Sequence, residues 1–129
     1  MTYTQAQAIV REHHGIKDTA STLLDKWENL VLECESGYSW DYSEFLNELR
    51  VRDEIETILS VPELHRYKEH GVLRERVASI DQRLRVLFHS EKESSTEGPW
   101  WRRGILKRAG ADYAEYCWSA FSVPVEVVA

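Results

Sequence analysis

At 129 residues, with 43% hydrophobic and 29% charged side chains, the chain suits one domain with a core of its own, needing neither disulfide nor metal. A formal charge of −6 weighs against a phosphate backbone as the main ligand, because affinity for nucleic acid comes largely from Lys and Arg. No apolar run approaches the roughly 20 residues of a membrane helix. "MTYTQAQAIVREHH" lacks the basic-then-apolar order of a signal peptide, so a cytoplasmic protein is expected, with Cys34 and Cys117 as reduced, buried thiols.

Helical periodicity runs through the chain. Residues 4–15 open on Thr4 with Gln7 three positions on, the pattern of a capping box, and close at Gly15. Asp18 is the expected cap of the next helix, whose stripe of Leu23, Trp27, Leu30, Val31 and Cys34 ends before Gly37. A third helix starts near Asp41 or Ser43, and its apolar stripe changes face. Phe45, Leu46 and Leu49 share one side, while Val51, Ile55, Ile58 and Leu59 share another. The helix therefore breaks near Arg50–Asp53 or changes packing partner there.

Pro62 suits the start of a short helix ending at Gly71. Leu73, Val77, Ile80, Leu84 and Leu87 then alternate spacings of four and three, the seam of a helix packed in a bundle. "HSEKESSTEG" is polar and turn-rich, which predicts a mobile loop near residues 90–98. "PWWRRGILKRAG", residues 99–110, follows with Trp101, Ile105 and Ala109 on one helical face and cations opposite. Pro99 suits its start and Gly110 its stop. Asp112, with Glu115 three on, is the expected cap of a last helix, and the β-branched residues 122–129 read as an extended tail. The fold class expected is all-α: a single bundle of five or six helices over residues 1–129. An exposed tail edge could pair two chains into a dimer.

Catalytic patterns are sparse. "GYSWD" has the first glycine and the serine of a nucleophile elbow, but Asp41 stands where the second glycine belongs. Glu33 and Glu35 flank Cys34 and disfavour its thiolate. His65 with Glu69, and His89 with Glu93, have the i, i+4 spacing by which two helical side chains reach one ion. No Glu-x-x-His pair, HExxH or Cys-x-x-Cys accompanies them. The reading assigns no catalytic residue, no metal site and no cofactor.

Charge divides the chain. Residues 1–64 hold 5 Lys/Arg against 13 Asp/Glu, a net of −8, and residues 65–129 hold 11 against 9, a net of +2. Such halves attract each other or serve an external partner. The strongest candidate surface is "ECESGYSWDYSEFLNE", where Glu35, Tyr38, Trp40, Asp41, Tyr42, Glu44 and Glu48 crowd one helix connection. Aromatic side chains give contact area with few rotors to freeze, and a carboxylate rim steers a basic partner. Trp100, Arg102, Arg103, Lys107 and Arg108 form a candidate anion-binding set, which Arg74, Arg76, Arg83 and Arg85 could extend.

The function expected is a non-catalytic acidic protein-binding domain. An immunity-type inhibitor that masks a basic partner such as a nuclease toxin is its concrete form, with Tyr38, Trp40 and Tyr42 as anchors. The alternatives are a helical small-ligand sensor lined by Trp27, Trp101 or Trp118, and a metal-assisted enzyme using His65, Glu69, His89 and Glu93.

Overall fold

The computed structural model describes residues 1–128. Its frame is α2 (Ala20–Glu35), which packs against both α4 (Arg50–Leu59) and α5 (Lys68–Arg85). Thr19, rather than Asp18, caps α2 by accepting the Thr22 N–H, while Asp18 pairs with Lys26 at 2.7 Å. The stripe Leu23, Leu24, Trp27, Leu30, Val31 and Cys34 is buried, as the heptad-like spacing requires. In α5 the seam buries Val77, Ile80 and Leu84 and leaves Leu73 half-buried, as is Leu87 just beyond the helix end.

α1 (Tyr3–His13) begins two residues before its expected start. The Thr2 hydroxyl accepts the Gln5 N–H and the Gln5 side chain accepts the Thr2 N–H, so the capping box is Thr2–Gln5 and not Thr4–Gln7. α3 (Tyr42–Glu48) is capped by Asp41, which accepts the Glu44 N–H at 2.8 Å. The break lies at Leu49, just before the expected Arg50–Asp53. There the chain turns so that Phe45 and Leu49 face α7 and the core while Ile55, Ile58 and Leu59 remain buried. Residues Pro62–Leu64 form only one 3-10 turn. Gly71 does not end a helix: it lies near the start of α5, whose burial of the Val77–Leu84 seam outweighs the ~1 kcal/mol cost of a helical glycine.

The all-α expectation needs its largest correction after α5. The chain is mostly helical but carries two small two-stranded sheets. β1 (Phe88–Glu93) pairs antiparallel with β2 (Gly104–Leu106), so the expected mobile loop is a strand up to Glu93. α6 (Trp100–Arg103) is a single turn, and the helix expected to run on to Ala109 is replaced by β2 and β3 (Arg108–Ala109). Gly104 is the cause. A Cβ there would sit 2.1 Å from the Phe88 ring, and the backbone is extended at φ −71°, ψ 147°.

α7 (Ala111–Phe121) is preceded by Gly110 as its cap residue, in place of Asp112, and ends at Ser122 in the left-handed region, φ 55°. The tail is extended, as expected, and forms β4 (Glu126–Val127) parallel to β3 of its own chain. The Glu126 N–H donates to Lys107 at 2.8 Å and the Val128 N–H to Ala109 at 2.9 Å. Tyr38 bridges Ala109 as well, and this ties the α2–α3 connection to the tail. Among the described residues no helix is long and apolar enough to cross a membrane.

Candidate functional site

The aromatic-acidic stretch separates into a buried part and an exposed part. Tyr38 is fully buried against Phe45 and Tyr113, with ring centroids 5.3 and 6.3 Å away. Tyr42 is buried too, and stacks on Tyr116 at 4.7 Å. Both hold α3 to α7 and present little surface to a partner. Trp40 is 60% exposed. Asp41 and Glu44 are exposed in the first turn of α3. Glu35 is engaged: Arg83 binds it at 2.7 Å and Glu28 at 2.8 Å, and the hydrogen bond from Arg83 holds the Glu35 carboxyl below the usual range.

Glu48 is the member that the fold brings into a concave site. It is half-buried at the end of α3 and accepts a hydrogen bond from the Tyr38 hydroxyl. Burial pushes its carboxyl pKa up, the Tyr38 bond opposes this, and Glu33 and Glu44 raise it further. The same burial, with Glu48 beside it, pushes the Tyr38 phenol far up, so the proton stays on the tyrosine.

Glu48, Glu33 from α2 and Glu54 from α4 line a cleft of about 470 Å³, with Asn29, Asn47, Arg50 and the ion-paired Lys26 and Asp18 also in its lining, four carboxylates against two cations. Among the described residues, Glu33, Glu44, Glu48 and Glu54 enter no ion pair. Sequence reading had named Glu44 and Glu48 but missed Glu33 and Glu54. The signal available was the stripe opposite each helix's apolar face, which only the packing of α2 on α4 turns into a shared wall.

The basic set is dispersed rather than gathered. Arg102 forms a bidentate pair with Asp53, and Trp101 Nε1–H donates to the same carboxylate at 2.8 Å. Arg103 faces Glu93 at 3.5 Å, Arg108 faces Glu126 at 3.8 Å, and Lys107 donates to the Val86 carbonyl at 3.2 Å. Trp100 packs edge-on against Phe88 with the Arg85 guanidinium 3.9 Å from its ring. Most of these cations serve neighbouring strands and helix ends.

The most buried charges lie elsewhere, in a place the sequence reading left unmarked. Arg52 and Asp81 are both buried, bonded through Nε–Oδ1 at 3.0 Å and Nη2–Oδ2 at 2.9 Å. Trp27 Nε1–H donates to Asp81 at 3.0 Å, Glu56 accepts from Arg52 Nη1 at 3.0 Å, and the Trp101 ring lies 4.2 Å from the guanidinium. Both charges stand on apolar stripes, Phe45–Leu49–Arg52–Ile55 and Val77–Asp81–Leu84, and that spacing was the legible signal. Trp27 and Trp101 are committed to this network and Trp118 is 61% exposed, so the three do not enclose one cavity.

His65 and His70 stack at 5.4 Å, and with Arg74 they crowd the Leu59 carbonyl at the end of α4, at 3.1, 3.2 and 2.8 Å. Buried His70 accepts the Tyr3 hydroxyl at Nδ1, 2.8 Å away, so its Nε2–H is the donor to Leu59. Burial first, then Arg74 and His65, lower its pKa, while the bond to Leu59 opposes them. Arg74 Nη2 is 3.5 Å from His65 Nε2, an unfavourable neighbour for a cation. His89 and Glu93 lie on β1, where four residues span ~13 Å instead of one helical turn. Among the described residues, no three His, Cys, Asp or Glu side chains converge as metal ligands. Both cysteines are buried free thiols. Burial raises their pKa, for Cys117 to about 11, which keeps them protonated at neutral pH.

Compared with protein-family models, curated proteins and solved structures, the chain matches none of them.

Proposed function

We propose that this protein is a non-catalytic binding domain whose acidic face, on α2, α3 and α4, receives a basic partner. The observation that carries the reading is the cleft in which Glu33, Glu48 and Glu54 share one concavity without ion pairs. Carboxylates left unpaired in a recess keep a field that a Lys or Arg side chain can enter, and the surrounding low-dielectric walls strengthen it. Trp40 is exposed just before the start of α3, at the end of that helix opposite Glu48. An apolar anchor beside a charged recess is the arrangement that binding hot spots favour.

Tyr38 and Tyr42 support the face from beneath rather than touching the partner. Tyr38 holds Glu48 by its hydroxyl, and Tyr42 fixes α3 on α7. An immunity-type inhibitor, which masks a basic enzyme surface such as that of a nuclease toxin, is the concrete form of this proposal. Binding would block by occupancy and charge, with no chemical step.

Affinity purification from the native cell with wild type beside the Trp40→Ala and Glu44→Lys/Glu54→Lys variants tests it. The expected result is one basic protein held by wild type and lost from both variants, all three proteins showing the same helical circular dichroism. Equal retention of that protein by the charge-reversed variant would remove the acidic face from the proposal.

A further inference from the structure

α1 is built against the usual order of a surface helix. Gln7, a polar residue, is its one buried side chain. Ala6 and Val10 are half-buried against the edge of the core, and with Ile9, which shares their helical face, they border an open groove of about 940 Å³. Ile9 is 55% exposed. The other side is lined by Val61, Pro62 and Tyr67, where the Pro62–Leu64 turn packs beside α1, so the groove runs along the seam between two partly apolar elements. The volume lies within the roughly 300–1,000 Å³ of ligand sites, and the groove shares no residue with the acidic cleft.

The charges at this groove invert those of the rest of the surface. In a chain of net charge −6, its ionisable lining is His13, His14, Arg66 and Glu63, with Tyr67 beneath. Among the described residues, Arg66 meets no carboxylate within 4 Å. Its guanidinium lies 4.9 Å from the Tyr67 ring, and Nη2 donates to the Tyr67 hydroxyl at 2.8 Å. The ring thus holds the fork in place while its remaining N–H donors stay unused. A positioned guanidinium at the side of an apolar trough matches a carboxylate in shape and charge. Glu63 is the single opposing charge, and it disfavours a dianionic head more than a monoanionic one.

We infer that the groove between α1 and the Pro62–Leu64 turn is a binding site for a medium-chain alkyl carboxylate, with the chain along Ala6, Ile9 and Val10 and the carboxylate on Arg66. The hydrocarbon covers the apolar stripe that α1 leaves open, and Arg66 selects the head. This site is independent of the acidic face, and either reading can fail without the other.

The test is titration of the full chain at pH 8 with octanoate, decanoate and dodecanoate below their aggregation thresholds. Calorimetry gives affinity and amide NMR shifts give the location. Saturable one-to-one binding is expected, tightening about fourfold for each added methylene, with shifts confined to α1 and residues 61–67. Ile9→Asp should weaken decanoate binding at least tenfold while leaving thermal unfolding unchanged, since the side chain is exposed. Arg66→Gln should cost decanoate about tenfold and leave decanol binding as it was. Four outcomes overturn the inference. They are undiminished binding to Ile9→Asp; decyltrimethylammonium binding as tightly as decanoate; concentration-dependent dimerisation abolished by Ile9→Asp, which would give the groove to a second copy; and binding to phosphatidylglycerol vesicles with none to free decanoate.

Discussion

Between α2, α4 and α5 the molecule buries the pair Arg52–Asp81, whereas along α1 it leaves Ala6, Ile9 and Val10 open to a groove. In the first region polar groups are taken out of water and nearly every donor is matched. In the second, Ala6 and Val10 only partly pack on the core and Ile9 stays in water. Burying an ion pair rarely gains net stability over an apolar substitute, because desolvation offsets the attraction. Its effect is geometric: two bonds from Arg52 to Asp81, one from Trp27 and the Trp101 ring above fix α2, α4, α5 and α6 in one arrangement. The α1 flank has no such lock, and its polar tie is the chain Tyr3–His70–Leu59. The centre spends its interactions on fixing the fold, while the flank retains apolar surface that a ligand can use.

Asp81→Ala should break this contrast most severely. It leaves the Arg52 guanidinium buried without its carboxylate and orphans the Trp27 N–H, a loss of ~3–5 kcal/mol in urea unfolding. Arg52→Met combined with Asp81→Leu should recover the part of that loss due to the unpaired charge, leaving the cost of the orphaned Trp27 N–H. A double variant as unstable as Asp81→Ala would show that the pair is needed for itself.

On the flank, Tyr3→Phe should cost ~1 kcal/mol by removing the bond to His70 Nδ1. The pH dependence has a definite sign. Burial keeps His70 neutral in the fold, with its pKa below the value of about 6.5 that it has in an unfolded chain. Its contribution is therefore full above pH ~6.5, falls as the unfolded state takes up a proton below that, and levels off beneath the folded pKa. Urea midpoints measured from pH 8 to pH 5 should show this decline, and His70→Gln should flatten it. A decline unchanged in His70→Gln would contradict the neutral state assigned to His70 in the fold.

Glu48→Gln should produce a smaller gain, a fraction of a kcal/mol at pH 7, because the folded state raises the carboxyl pKa and so disfavours its charge there. The gain should vanish as pH falls through the folded pKa, which differential scanning at pH 7 and pH 4 would reveal. The smallest effect belongs to Arg83→Ala. Its bonds to Glu28 and Glu35 lie at the surface, and the melting midpoint in 0.15 M salt should not move measurably.

Local periodicity carried much of this fold. The stripes of α2 and α5 and the extended tail stand where their spacing placed them, because each follows from side-chain period alone. Residues 88–109 did not, because Trp101, Ile105 and Ala109 satisfy a helical period equally well. The deciding contact, Gly104 under the Phe88 ring, joins positions 16 residues apart. The candidate surface was legible in Trp40, Asp41, Glu44 and Glu48, which α3 displays together. Tyr38 and Tyr42 share that stretch but are buried, since their fate depends on α7, some 70 residues downstream. Glu33 and Glu54 join the cleft only through the docking of α2 on α4. Arg52 and Asp81 were readable as charges on apolar stripes, and a surplus of surface acid hid them.

Whether the acidic face receives a basic partner is measured most directly by the association rate between this protein and that partner over a range of ionic strength. Wild type should associate fast at low salt and slow steeply as salt rises, and Glu33→Lys/Glu54→Lys should show the slow, salt-insensitive rate throughout. A wild-type rate that ignores both salt and charge reversal would contradict electrostatic capture on α2, α3 and α4.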